Sequence, residues 1–216
     1  MSNRISIITI CFNNLPELRE TCLSVEKQTI HPYEHIIVDG SSNTDIRNYL
    51  EKTTLPPYVK WISEKDNGIA DAFNKGVRLA SGDIVNMLNS GDCYLSTDVL
   101  AQVTEAFNAS ATLMWVHSKY QMERAGQVVT LGKSFEPGKL YRGMRSLCHQ
   151  TMFVKKVLHE KYGLYNPAYS ISMDYDFVCR IYNEPFIFIG ETCIRKAPGG
   201  ISTAHYLKSL EQSKKE

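Results

Sequence analysis

The chain has 216 residues, 43% hydrophobic and 22% charged, with a formal net charge of +1. That length suits one large domain, and the composition excludes an intrinsically disordered chain. Near-neutral charge gives no broad basic field for gripping nucleic acid, and six scattered cysteines without a C-x-x-C pair argue against a zinc site or a disulfide framework.

The first half alternates strand and helix patterns. Ile5 to Cys11 (ISIITIC) is β-branched and mostly apolar, which predicts a strand buried on both faces. Asn14 with Glu17 has capping-box spacing, and Leu15, Leu18, Cys22 and Val25 share one face of the helix that follows. His35 to Val38 predicts a second strand, closed by Asp39-Gly40-Ser41-Ser42. Asp45 to Lys52 reads as a short helix, and Pro56-Pro57 stops anything helical there. A third strand, Tyr58 to Ile62, runs into Asp66-Asn67-Gly68. Next come a helix with Ile69, Phe73, Val77 and Ala80 on one face, and a strand from Asp83 to Leu88. Asn89-Ser90-Gly91-Asp92 closes that strand, and a helix follows from Thr97 to Phe107.

The second half is mixed. Leu113 to His117 and Gln127 to Leu131 predict strands flanking a loop through Glu123-Arg124-Ala125-Gly126. A polar, glycine-containing stretch covers Gly132 to Ser146. Thr151 to Val154 reads as a strand, Lys155 to Tyr162 as a helix, and another helix starts near Asp174 before the strand Phe186 to Ile189. Strand alternating with helix implies parallel strands joined by right-handed crossovers. No G-x-G-x-x-G follows the first strand, so the dinucleotide-binding fingerprint is absent. The expected fold class is therefore α/β, without internal repeats or a clear linker. No stretch is apolar and long enough to span a bilayer, and no secretory signal opens the chain.

Three predicted strands run into an acidic residue: Asp39, Asp66 and Asp92. In an open parallel sheet the ligand sits outside the carboxyl ends of the strands, so these acids are expected to line one cleft. Acids there suit a hard cation shared with substrate phosphates, or direct bonds to ribose hydroxyls and base N–H groups. Both uses point to a nucleotide. The competing reading is that Asp, Asn, Gly and Ser simply make good loop-starting turns. One domain over residues 1–205 follows. It has a nucleotide-binding half to about residue 110, a mixed half from about 111 to 205 that completes the cleft, and a polar tail over 206–216.

The ordered set ISIITICFNN, HIIVDGSSNTD, SEKDNGIADAFNKGV, SGDIVNMLNSGD, HQTMFVKK, ISMDYDFVCRI and GGIS spans about residues 4 to 202. It resembles the inverting family 2 glycosyltransferases of the GT-A fold, especially the bacterial branch that builds O-antigen and capsule repeats. The resemblance implies transfer of a sugar from a nucleotide diphospho-sugar, by default a UDP-sugar, to a hydroxyl of a glycan or lipid-linked glycan. It places Thr9, Cys11 and Asn13 at the nucleotide pocket, Asp39 at base or ribose, and Asp66 and Gly68 in the next donor loop. Asn89 to Asp92 stands where the family carries its acidic metal motif. Asn89 and Gly91 replace two of the acids, leaving Asp92 as the charged ligand for a divalent cation, Mn²⁺ or Mg²⁺. Asp174 in MDYDF falls on the carboxylate that acts as base, with Met173 where a Glu often precedes it.

The chemistry is consistent with those roles. A cation bridging both phosphates stabilises the charge growing on the departing diphosphate. A carboxylate taking the acceptor hydroxyl's proton contributes roughly 10²–10⁴-fold. Asp174 has a plainer reading as a helix cap, and Asp176 as helix-terminal charge or an acceptor contact. His149 and Gln150 are candidate acceptor or diphosphate contacts, as are Arg142 and Arg145 if their loop closes. Asn74 is expected to pin its loop, Gly199-Gly200 to form a turn, and His205 is a further candidate ligand. Competing functions are a sugar-nucleotide-forming nucleotidyltransferase, which lacks its glycine-rich loop here, and a silent nucleotide- or carbohydrate-binding module. The expected location is cytoplasmic with reduced thiols, in at most peripheral contact with the inner membrane face.

Overall fold

The computed structural model describes residues 3–144 and 147–198. The first half runs β1 (Ile5–Cys11), α1 (Leu15–Glu26), β2 (Glu34–Asp39), α2 (Asp45–Lys52), β3 (Val59–Ser63), α3 (Ile69–Leu79), β4 (Ile84–Met87), β5 (Cys93–Tyr94) and α4 (Val99–Ala109). The second half adds β6 (Trp115–Arg124), β7 (Gln127–Leu131), β8 (Phe153–Lys155), α5 (Val157–Tyr162), α6 (Met173–Ile181) and β9 (Phe186–Arg195). Two 3₁₀ turns, Pro137–Arg142 and His149–Thr151, interrupt its loops.

Among the described residues nine strands form one sheet in the order β3-β2-β1-β4-β8-β6-β9-β5, with β7 paired to β6. Strands β1 to β4 are mutually parallel where they pair, as the alternation requires. Strand β8 is antiparallel to both β4 and β6, so the parallel half and the mixed half are one continuous layer. Asn86 on β4 fastens that seam. Its Nδ2 donates to the carbonyls of Gln150 and Met152, both at 2.9 Å, and its Oδ1 accepts from the Tyr94 hydroxyl at 2.8 Å.

The apolar run of β1 is explained by burial on both sides. Ile8 packs with Phe73 and Val77 of α3 and with Phe177 of α6, whereas Ile7 packs with Leu100 and Val103 of α4. Strand β2 divides likewise, Ile36 joining the first cluster and Ile37 a third with Leu18, Ile46 and Leu50. Fully burying each such side chain contributes roughly 1.5–3 kcal/mol. Buried Glu34 braces the lower end of these strands, accepting from the Ser6 hydroxyl at 2.6 Å, the Gly82 N–H at 3.1 Å and Lys60 at 2.6 Å. Burial alone would raise its pKa, but these donors and Ser81 hold it down at about 2.

Several local expectations are revised. The capping box does not form: the Asn14 side chain accepts from the Phe12 N–H at 3.0 Å, and no side chain caps α1. Strand β6 continues to Arg124, so it and β7 flank a tight two-residue turn, Ala125-Gly126, rather than a longer loop. Strand β9 runs to Arg195, past the polar Glu191 and Thr192 that ended the apolar pattern, because irregularities near Lys119 let it keep pairing with β6. The two-residue β5 has no sequence signal of its own; its pairing with the end of β9 creates it. All six cysteines are free thiols.

Candidate active site

The parallel register brings Cys11, Asp39 and Ser63 side by side at the carboxyl ends of β1, β2 and β3. Asp39 is 1% exposed; its Oδ1 accepts from the Ser41 N–H at 3.0 Å and its Oδ2 from the Ser63 hydroxyl at 2.8 Å. It shapes the loop from beneath. Asn13, at φ 53, staples β1 to the same loop: its N–H donates to the Ser41 hydroxyl at 2.8 Å, and its Oδ1 accepts the N–H groups of Ser42 and Asn43. Asp66 accepts from the Gly68 N–H at 2.9 Å and lies against Gly40, where an added Cβ would meet Asp66 Oδ2 at 1.8 Å. Cys11 is buried at the base of this group, and desolvation pushes its thiol pKa well up, which leaves it unreactive. Thr9 is not brought in. It is buried inside β1 with Oγ1 2.8 Å from His35 Nε2.

The second group surrounds the turn after β4. Leu88 and Ser90 donate to the carbonyls of Ile8 and Ile10, which seats residues 89–92 beside the end of β1. Thr21 on α1 clamps the turn, its hydroxyl accepting from the Gly91 N–H at 2.9 Å and donating to the Asp92 carbonyl at 2.9 Å. Gly91 has φ +95, and a Cβ there would stand 3.0 Å from that of Ala197. A side chain at position 91 would therefore be strained. Asp92 is 3% exposed, with Oδ2 accepting from Gln150 Nε2 at 2.8 Å and Oδ1 from the Ala197 N–H at 2.8 Å. Burial raises its pKa against those two hydrogen bonds.

Among the described residues no group of three or more His, Cys, Asp or Glu side chains gathers to hold a metal by protein alone. The turn does offer hard oxygen donors. Asn89 Oδ1 and Ser90 Oγ are buried without a hydrogen-bond partner among the described residues, in the same turn as Asp92, whose oxygens each accept one bond, from Gln150 or Ala197, and retain a lone pair. Such a set fits one divalent cation whose coordination is completed by substrate phosphates.

Asp174 is the second residue of α6 and half-buried, with Ser172 rather than Asp174 in the cap position. Its Oδ1 accepts from the Tyr175 N–H at 2.9 Å, and its Oδ2 lies 3.0 Å from His149 Nδ1. His149 Nε2 in turn lies 3.1 Å from Asn89 Nδ2. The tautomer that satisfies both contacts carries its proton on Nδ1, donating to Asp174 and accepting from Asn89. Phe73 supports the ring edge-on, with centroids 5.6 Å apart. Residues separated by 85 positions are thereby joined through one imidazole.

The remaining candidates fall outside this network. Arg142 is exposed, its guanidinium against Tyr141. Asp176 is paired with Arg180 at 2.7 Å on α6. Asn74 pins a different loop from the one expected, making reciprocal hydrogen bonds with the backbone of Tyr165. Arg145, Gly199-Gly200, His205 and the tail over 206–216 lie outside the described residues. Thr21 and the Ala197 amide went unread in the sequence and had no local signal, since their roles depend on where α1 and the segment after β9 pack.

Comparison with known proteins gives the family. The model for glycosyl transferase family 2 matches residues 6–162. An uncharacterised glycosyltransferase of Mycobacterium tuberculosis is 34% identical over 184 residues, covering 82% of this chain and 68% of its own. A PGL/p-HBAD biosynthesis glycosyltransferase of Mycobacterium bovis is 29% identical over 176 residues, covering 80% and 67% respectively. Among solved structures, S. aureus TarS superposes with a TM-score of 0.70 at 15% identity, covering 97% of this chain and 39% of its own. The mannosyltransferase PcManGT of Pyrobaculum calidifontis, solved with GDP-Man and Mn²⁺, gives 0.68 at 17% identity, covering 99% and 64%. The chain thus spans only part of the length of these proteins, and the structural likenesses bear out the GT-A fold. With the family model matching well over half of its residues, the chain belongs to glycosyltransferase family 2.

Proposed function

We propose that the chain transfers a sugar from a nucleotide diphospho-sugar to a hydroxyl of a glycan or lipid-linked glycan, with inversion, Asp174 acting as general base. The observation that carries this reading is the half-buried Asp174 carboxylate, tied through His149 to the turn that holds Asp92. Asp174 keeps lone pairs for an incoming hydroxyl proton. His149 is the weaker candidate base because both ring nitrogens are already engaged. One base opposite the leaving group suffices for in-line displacement, whereas a glycosidase needs two carboxylates about the scissile bond.

Donor contacts are assigned to the loops after β1, β2 and β3, with Phe12 offering an exposed ring on which a base can stack. A uridine donor is supported by S. aureus TarS 1–349, solved in complexes with UDP and with UDP-GlcNAc. Asp92, with the side-chain oxygens of Asn89 and Ser90, would hold Mn²⁺ or Mg²⁺. When bound, the cation supplies Lewis-acid stabilisation of the departing diphosphate. Gln150 and the Ala197 amide orient the Asp92 carboxylate for that task. Residues to about 110 form the donor half, and residues from about 111 to 205 the acceptor half. No helix among the described residues is long and apolar enough to cross a membrane. A cytoplasmic protein in peripheral contact with the inner membrane face, building O-antigen or capsule repeats, is the narrower proposal. The M. bovis relative, named for PGL/p-HBAD biosynthesis, supports a biosynthetic role.

The test is thermal stabilisation by UDP-glucose, UDP-galactose, UDP-GlcNAc and GDP-mannose, each with and without Mn²⁺. A donor at one hundred times its dissociation constant is expected to add about 2.7 kcal/mol. Absence of any shift with every nucleotide, with or without metal, would overturn the donor site.

A further inference from the structure

The geometry points to His149 as a positioning residue that couples the turn at residues 89–92 to the base Asp174, rather than as a contact to acceptor or diphosphate. This inference rests on the base assignment proposed above. An imidazole that contacts ligand needs a free ring nitrogen, and His149 has none. Nδ1 is 3.0 Å from Asp174 Oδ2, and Nε2 is 3.1 Å from Asn89 Nδ2. Each link fixes the next. The Asp174 carboxylate can only accept, so the ring carries a proton on Nδ1, and Nε2 of the neutral ring is left to accept from Asn89 Nδ2. That N–H occupies one lone pair of Asp174 Oδ2, while the Tyr175 N–H occupies one on Oδ1. The carboxylate is held at both oxygens, and its rotation about the Cβ–Cγ bond is arrested. The ring is itself held, by the edge of Phe73 at 5.6 Å and by the short 3₁₀ turn His149–Thr151, whose next residue, Gln150, grips Asp92.

Through its nitrogen the Asn89 side chain seats the His149 ring, and the three side chains together tie the position of the base to the turn after β4.

Two measurements test this. Nitrogen NMR of the His149 imidazole, assigned by the signal lost in His149→Asn, is expected to show the Nδ1–H tautomer in the wild type. An Nε2–H ring in the wild type would overturn the coupling, and this readout needs no donor. Kinetically, His149→Ala is expected to lower kcat by about 10²-fold, the scale of a slightly misplaced reacting group, with UDP affinity unchanged. Turnover is read as nucleoside diphosphate release from the sugar nucleotides named above. His149→Asn, whose amide nitrogen falls near the Nδ1 position, is expected to recover most of that loss and guards against misfolding of the alanine variant. In an Asp174→Asn background, His149→Ala is expected to cost nothing further, because its effect acts through the base. A wild-type kcat in His149→Ala alongside an inactive Asp174→Asn would overturn the coupling but leave the base. Loss of UDP affinity at constant kcat would make His149 a ligand contact after all. Near wild-type turnover in Asp174→Asn would instead remove the base assignment itself.

Discussion

Asp174→Asn is expected to lower transfer by roughly two to four orders of magnitude while leaving donor affinity and folding nearly intact. The amide keeps the size of the carboxylate and one acceptor oxygen, so it can still take the Tyr175 N–H, but it cannot take a hydroxyl's proton. A purely structural role predicts the opposite pattern. Ser172 holds the cap position of α6, so Asp174 acts there only as first-turn charge, worth about 0.3–1 kcal/mol. On that account Asn would stay active and Ala would merely melt slightly earlier. Turnover, UDP affinity and melting temperature measured together on both variants separate the two accounts.

Asp92→Ala is the second large effect. Removing the carboxylate proposed as the charged cation ligand is expected to reduce transfer by about 10²–10³-fold, the cost of deleting a preorganised group aimed at developing charge. It should also abolish the part of nucleotide binding that Mn²⁺ enhances. Because Gln150 and the Ala197 N–H would lose their acceptor, a stability loss of about 1–3 kcal/mol accompanies it. Asp92→Asn separates these effects, since its amide oxygen still accepts one of those bonds while the charge is gone. Transfer unaffected by thorough chelation in the wild type would contradict the metal role and leave the nucleotide pocket standing.

Much of the scaffold was legible in the sequence because burial writes itself as pattern. The run ISIITIC is apolar at successive positions because Ile7 and Ile8 enter different cores on opposite faces of the sheet. The turns at Asp39, Asp66 and Asp92 were marked by Gly, Ser and Asn, whose local chemistry does not depend on distant residues. What escaped was set by long-range contact. Gln150 reaches Asp92 across 58 positions, and the Ala197 amide across 105. No local window contains both partners. Thr9, placed at the nucleotide pocket by resemblance, lies on the same face of β1 as Cys11 but two residues deeper, where its hydroxyl meets His35. The hydrogen-bonded chain from Asn89 through His149 to Asp174 was equally invisible. HQ and MDYDF identified its members singly, and only the fold shows that a 3₁₀ turn brings the ring between an amide and a carboxylate.

The central claim is single-displacement sugar transfer with one base, and stereochemistry reports on it most directly. An α-linked sugar nucleotide that stabilises the protein would be incubated with it, and the first-formed product, transferred or hydrolysed, followed by proton NMR before mutarotation. The account predicts the β-anomer, formed by attack from the face opposite the diphosphate. The α-anomer would contradict it, because retention requires either a nucleophile on the protein or attack from the leaving-group face.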